Sequence, residues 1–189
     1  KYFYHKIMKT KIISFFSIVL ILFGIFCITS CGTENKNKAQ EIVDKMQFGW
    51  NLGNTLDAHE GAINRNSGVY TEGCWGKPKT TQAMIKGLAK SGIKTIRLPV
   101  TWHNHIKDIK NYTIAPDWMA RVKEVVDYCY NEDLFVILNI HHDNNSGNII
   151  YTLKDDGTSE YFIRGVWRQI AEAFKDYDQH LVFEIMNEP

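Results

Sequence analysis

Four apolar runs recur along the 189-residue chain, and stretches of helical spacing separate them. The runs are Phe48 to Leu52, Thr95 to Val100, Phe135 to Ile140 and Leu181 to Met186. None alternates cleanly, which is the pattern of strands buried on both faces of a parallel sheet. Thr80 is placed to cap a first helix reaching about Lys90, with Gly92 just beyond as a stop. Its apolar stripe is Met84, Ile85, Leu88 and Ala89. Pro116 suits the first turn of a second helix, along which Met119, Val122, Val126 and Cys129 recur. A third helix is predicted from Ser159, burying Ile163, Val166, Trp167, Ile170 and Phe174. The order β-α-β-α-β-α-β predicts an α/β fold with right-handed crossovers. An open doubly wound sheet and a closed (β/α)8 TIM barrel both meet that order. The first run ends in Asn51-Leu52-Gly53-Asn54, not in a glycine loop opening into a helix. A long insertion, Asp57 to Lys79, follows it, which suits a barrel with elaborated strand-end loops. A typical barrel takes about 250 residues, so only about the first four βα units are expected here.

The fold is not expected to include the N-terminus. Lys6, Lys9 and Lys11 precede an apolar stretch from Ile12 to Ile28, followed by Thr29-Ser30-Cys31. A basic segment, an apolar segment and small residues describe a secretory signal. The last four residues, Ile28 to Cys31, resemble a bacterial lipobox, with Cys31 as the lipidated residue and Met8 as the expected start. Residues 1–31 are therefore expected to be a lipoprotein signal, 32–44 a tether and 45–189 the barrel segment, anchored to the cell envelope by lipid. An uncleaved membrane anchor is the alternative, for which the apolar stretch is short. Cys74 and Cys129 are far apart and outside any CxxC pattern. Cys129 is expected as a buried thiol on its helix face.

In barrels of this kind, chemistry sits at the C-terminal ends of strands. Here those ends carry Asn51 and Asn54, Arg97 and Trp102, His141 and His142, and Asn187 and Glu188. Pro189 is expected to bias Glu188 toward an extended backbone. Formal net charge is +1, which gives no electrostatic case for nucleic acid. Aromatic residues make up 13 %, with 5 Trp and 9 Tyr, so the polar tips would have flat apolar walls. Forked donors and acceptors beside indole faces suit a neutral polyhydroxylated ligand.

Four stretches now make the resemblance specific: Gly49-Trp50-Asn51-Leu52-Gly53-Asn54-Thr55-Leu56-Asp57, Ile96-Arg97-Leu98-Pro99-Val100-Thr101-Trp102, Leu138-Asn139-Ile140-His141-His142-Asp143 and Phe183-Glu184-Ile185-Met186-Asn187-Glu188-Pro189. In this order, each at a predicted strand end, they resemble glycoside hydrolase family 5, the cellulase family, and its bacterial endoglucanase and xyloglucanase branch. The resemblance implies a barrel that hydrolyses β-1,4-linked plant glucans with retention, without cofactor or metal. It implies that Glu188 is the general acid/base, that Asn187 binds the sugar 2-hydroxyl, and that Arg97 orients the nucleophile. His141 would line the same subsite, with His142 more peripheral. Trp50, Asn54, Trp75 and Trp102 would contribute to the cleft wall. The family places its nucleophile at the end of strand seven, so that residue is expected downstream of this chain. Glu184, four residues before Glu188 on the same strand face, is expected as a buried structural partner of Arg97, since buried charges need pairing.

Two other readings use the same residues. His103, His105 and His141, with His142 and Asp143, have spacing compatible with a metal-dependent barrel hydrolase. A lipoprotein that binds glycans without cleaving them is the third, and it leaves strand edges unpaired.

Overall fold

The computed structural model describes residues 37–60, 69–143 and 157–188. The expected signal with Cys31, and the tether up to residue 36, lie outside the described residues. By internal contacts the chain divides into two units, Lys1–Ala39 and Gln40–Pro189. The described strands all belong to the second unit. Among the described residues no helix is long and apolar enough to cross a membrane.

In chain order the elements are α1 (Lys38–Met46), β1 (Gly49–Asn51), α2 (Gln82–Lys90), β2 (Thr95–Leu98), β3 (Ile106–Asp108), β4 (Thr113–Ile114), α3 (Pro116–Tyr130), β5 (Phe135–Asn139), α4 (Thr158–Ala173) and β6 (Leu181–Glu184). Strands β1, β2, β5 and β6 pair side by side, all parallel, in that order. This is the predicted succession of βα units. The end of the expected tether is helical instead, because α1 starts at Lys38. Glu41 in its first turn and Lys45 in its last complement the helix dipole, and it buries no residue.

Strand alternation separates two faces. Ile96, Leu98, Val136 and Leu138 are fully or almost fully buried on one of them. They share a core with Ile85 of α2, Val122, Val126 and Cys129 of α3, and Val166 and Ile170 of α4. On the other face stand Asn51, Arg97, Asn139 and Glu184, whose side chains bond to one another. The predicted helix stripes hold at Ile85, Val122, Val126, Cys129, Val166, Ile170 and Phe174. Met84 departs from its stripe and is exposed, and Trp167 is only half-buried. The Trp167 indole N–H donates to Ile185 O, and its ring meets exposed Phe183 edge-on. Phe162, next to predicted Ile163, takes the fully buried place. Burial drives the Cys129 thiol up to about 12, as befits an inert core thiol, and both Cys74 and Cys129 are free.

Thr81 rather than Thr80 caps α2, its hydroxyl accepting from Met84 N–H. Thr80 is occupied elsewhere. Its N–H donates to Glu72 Oε1 and its carbonyl accepts from Arg121 Nη2. Arg121 also grips fully buried Glu72 through Nε at 2.9 Å and Nη2 at 2.8 Å. This pair ties the insertion after β1 to α3. Gly92 ends α2 at φ 96°, as its position predicted.

The β3–β4 hairpin is not evident from the apolar pattern. Gln169 of α4 holds it, accepting from Ile114 N–H at 2.9 Å and donating to Tyr112 O at 2.8 Å. A Cβ at Gly165 would lie 3.2 Å from Tyr112 Cβ, so a glycine allows helix and hairpin to approach.

Candidate active site

The backbone brings the strand ends onto one rim. Leu52 N–H donates to Arg97 O, His141 N–H to Val100 O, and Asn187 N–H to Ile140 O. Each bond lies at or just past a strand end, so the loops that follow leave the sheet side by side.

Arg97 is the hub of that rim. Its Nε and Nη2 meet Glu184 at 2.8 and 2.6 Å, a bidentate pair. Nη1 donates to Asn51 Oδ1 and Nη2 to Asn187 Oδ1, each at 3.0 Å. The Arg97 bond holds the Glu184 carboxyl below its ordinary value, against the opposing pull of burial. The pair is half-exposed, at 28 % and 29 %, rather than buried as expected. Gly53 lets the Asn51 amide reach this hub, because a Cβ there would lie 2.8 Å from Asn51 Nδ2.

Glu188 follows Asn187 directly and is exposed. Its backbone has φ 47°, not the extended conformation expected before proline. The left-handed region is another way out of the right-handed helical region that a following proline disfavours. A non-glycine residue there is uncommon, and such backbone clusters at functional sites. Asn54, after β1, shares this feature at φ 60° and is also exposed.

His141 and His142 stand side by side, their rings 4.4 Å apart. Burial lowers the His141 imidazole to about 4, with His142 adding to the effect. His142 Nε2 lies 3.6 Å from Asp57 Oδ2. Burial pushes the Asp57 carboxyl up, but His142 and the backbone N–H groups of Asn54 and Thr55 outweigh it and hold the group below its ordinary value. Trp75 stands beside them, its ring 5.5 Å from His142 and 5.2 Å from His59. It is 39 % exposed, and its indole N–H donates to His59 O.

The other two tryptophans expected in the cleft wall are placed differently. Trp102 has no exposed surface, so it is not a cleft wall. Its indole N–H donates to Asn139 O at 3.0 Å, inside the core. Trp50 is exposed, but Asn51 beside it faces Arg97, so strand alternation turns Trp50 to the opposite face.

Among the described residues, those of the metal reading do not form one ligand set. His103 is fully buried with Nδ1 2.9 Å from Asp143 Oδ1. His105 stacks on Trp118, centroids 3.5 Å apart, and meets Thr71 Oγ1 at 2.9 Å. Among the described residues, the group with ligand atoms close enough to hold an ion is Asp57, His141 and His142, all within 4.8 Å of one another.

Two buried side chains organise the rim: Asn139, which the sequence did not single out, and Asp143, which it offered only as a metal ligand. Asp143 accepts from Trp102 N–H at 2.9 Å and His103 N–H at 2.6 Å, tying the loop after β5 to the loop after β2. Asn139 lies between Glu184 and His141, 3.1 Å from each. A polar residue closing an otherwise apolar strand was the available signal for Asn139.

A family model described as cellulase (glycosyl hydrolase family 5) matches residues 56–189. Endoglucanase A of Clostridium longisporum is 49 % identical over 152 residues, 80 % of this chain and 29 % of that protein. A metagenomic xyloglucan-specific endo-β-1,4-glucanase, solved with cellotriose, is 46 % identical with a TM-score of 0.68, over 79 % of this chain and 42 % of that one. A broad-specificity endoglucanase of Ruminococcus champanellensis, also with bound cellotriose, is 40 % identical with a TM-score of 0.74, over 84 % and 45 %. The chain thus spans less than half the length of these relatives. With its parallel strands in barrel order and its match over most of its length, the chain belongs to glycoside hydrolase family 5, whose fold is the (β/α)8 barrel.

Proposed function

We propose that the chain is the N-terminal part of a retaining endo-β-1,4-glucanase, with Glu188 as its general acid/base. The arrangement of Asn187 and Glu188 carries this reading. Asn187 is held from both sides, its side chain by Arg97 and its backbone by Ile140. Glu188 is thereby presented at the rim of the strand ends. Retaining hydrolysis uses two carboxyl groups about 5–5.5 Å apart. In this scheme Glu188 gives a proton to the departing glycosidic oxygen while a second carboxylate attacks the anomeric carbon. Water then cleaves the glycosyl-enzyme bond and gives its proton to Glu188. The second carboxylate belongs to sequence beyond residue 189, and residues 32–189 alone are expected to be inactive. Arg97 would help keep it ionised, as a cation nearby favours the charged form. Asn187, His141 and Trp75 would receive the sugar, with His142 and Asn54 further out. Bound cellotriose in two similar structures supports a β-glucan substrate.

The test is the configuration of the first product. In the longest polypeptide the reading frame encodes, proton NMR during cello-oligosaccharide hydrolysis is expected to show the β-anomer before mutarotation. The α-anomer appearing first would refute retention.

The signal anatomy supports a lipid anchor at Cys31 on the cell envelope. Labelled palmitate is expected on the wild-type protein and absent from Cys31→Ala. Equal labelling of both would dismiss the anchor.

A further inference from the structure

Asn139 is completely buried, and its amide has only one orientation that satisfies its neighbours. Val100 N–H points at Oδ1 from 3.2 Å, and a backbone N–H can only donate. Glu184 Oε1 lies 3.1 Å from Nδ2, and an ionised carboxylate can only accept. Exchanging oxygen and nitrogen would set donor against donor at Val100 and acceptor against acceptor at Glu184. Nδ2 therefore points one hydrogen at Glu184 and the other at His141 Nδ1, 3.1 Å away.

The consequence passes to the imidazole. Nδ1 of His141 must be the acceptor, so in the neutral ring Nε2 carries the hydrogen. That ring is neutral well below pH 7, since burial lowers it to about 4. Among the described residues no hydrogen bond reaches Nε2, and His141 keeps 8 % of its surface exposed. We propose that Asn139 is a positioning residue that locks His141 in the Nε2–H tautomer, making the ring a hydrogen-bond donor to a sugar oxygen in the cleft. The carboxylate of Glu184, itself gripped by Arg97, sets the direction of the whole relay. The donor role in sugar binding rests on the proposed glucanase cleft, whereas the tautomer does not.

The same lock bears on the Asp57, His141 and His142 group. A metal needs an unprotonated ring nitrogen, and here one His141 nitrogen is engaged by Asn139 while the other carries hydrogen. Ligation would require turning the Asn139 amide against both Val100 and Glu184.

The test is long-range 15N–1H correlation on the full-length protein labelled with 15N-histidine and 15N-tryptophan, with His141→Gln and Trp75→Phe used to assign the signals. Wild type is expected to show a single tautomer, protonated at Nε2, and its Nε2–H resonance is expected to move on addition of cellotriose. Asn139→Leu, which offers Nδ1 no donor, is expected to release the lock and let the Nδ1–H tautomer appear. It should also weaken cellotriose binding roughly three- to tenfold, the worth of one hydrogen bond. A wild-type ring protonated at Nδ1, or averaging between tautomers, overturns the lock, and this needs no variant to fold. If cellotriose moves the Trp75 indole signal but not His141 Nε2–H, the donor role fails while the sugar cleft stands. If cellotriose moves neither, the cleft reading falls and takes the donor role with it.

Discussion

Glu188→Gln is expected to lower hydrolysis of unactivated β-glucan by about 10²–10⁴-fold, the range that general acid–base catalysis supplies. The measurement belongs in the longest polypeptide that the reading frame encodes. Glutamine keeps the size of glutamate but has no proton to give a departing glycosidic oxygen. The exchange should leave the fold intact, because Glu188 is exposed. Cellotriose binding should therefore stay near wild type while kcat collapses. An aryl glycoside whose leaving group needs no protonation should suffer less in the first step. Glu184→Gln is a useful contrast. It disturbs the pairing of Arg97 and the Asn139 relay, so it should act on binding as well as rate. Wild-type turnover of polymer by Glu188→Gln would remove Glu188 from the mechanism.

Trp102→Ala is expected to cost about 3–5 kcal/mol of stability, the usual loss for emptying a buried aromatic site. The Trp102 ring has no exposed surface, and its N–H holds Asn139 O at the end of β5. Its backbone N–H is also held by Asp143. Trp50→Ala, on an exposed ring, should change stability by no more than about 0.5 kcal/mol. Urea denaturation of the two variants separates the core role from the wall role. Equal midpoints would mean that Trp102 is not a core residue.

Much of the architecture was legible because it depends on periodicity. Apolar runs without alternation mark strands covered on both faces, and all four predicted strands pair in parallel. Pro116 and Gly92 were legible for a similar reason, since each has a backbone preference that suits one place in a helix. Thr80 and Thr81 were not separable in this way. Either hydroxyl can cap, and the choice was made by Glu72 and Arg121, which occupy the Thr80 backbone. Trp50, Trp75 and Trp102 are chemically identical, yet one is on the outer face, one beside the histidines and one in the core.

The candidate site divides along the same line. Glu188, Asn187, Arg97 and His141 could be placed at strand ends from the sequence because such ends converge on one rim in a parallel barrel, so position along the chain implies position in space. Family membership and the chemical inventory of the rim were thus determined by sequence alone. Which side chain meets which was decided only by the tertiary structure. Hydrogen-bond direction depends on partners that are distant in sequence, and Asn139 shows this most clearly. Val100, just past β2, and Glu184 of β6 meet its amide from the two neighbouring strands, and only their joint geometry sets which end donates to His141.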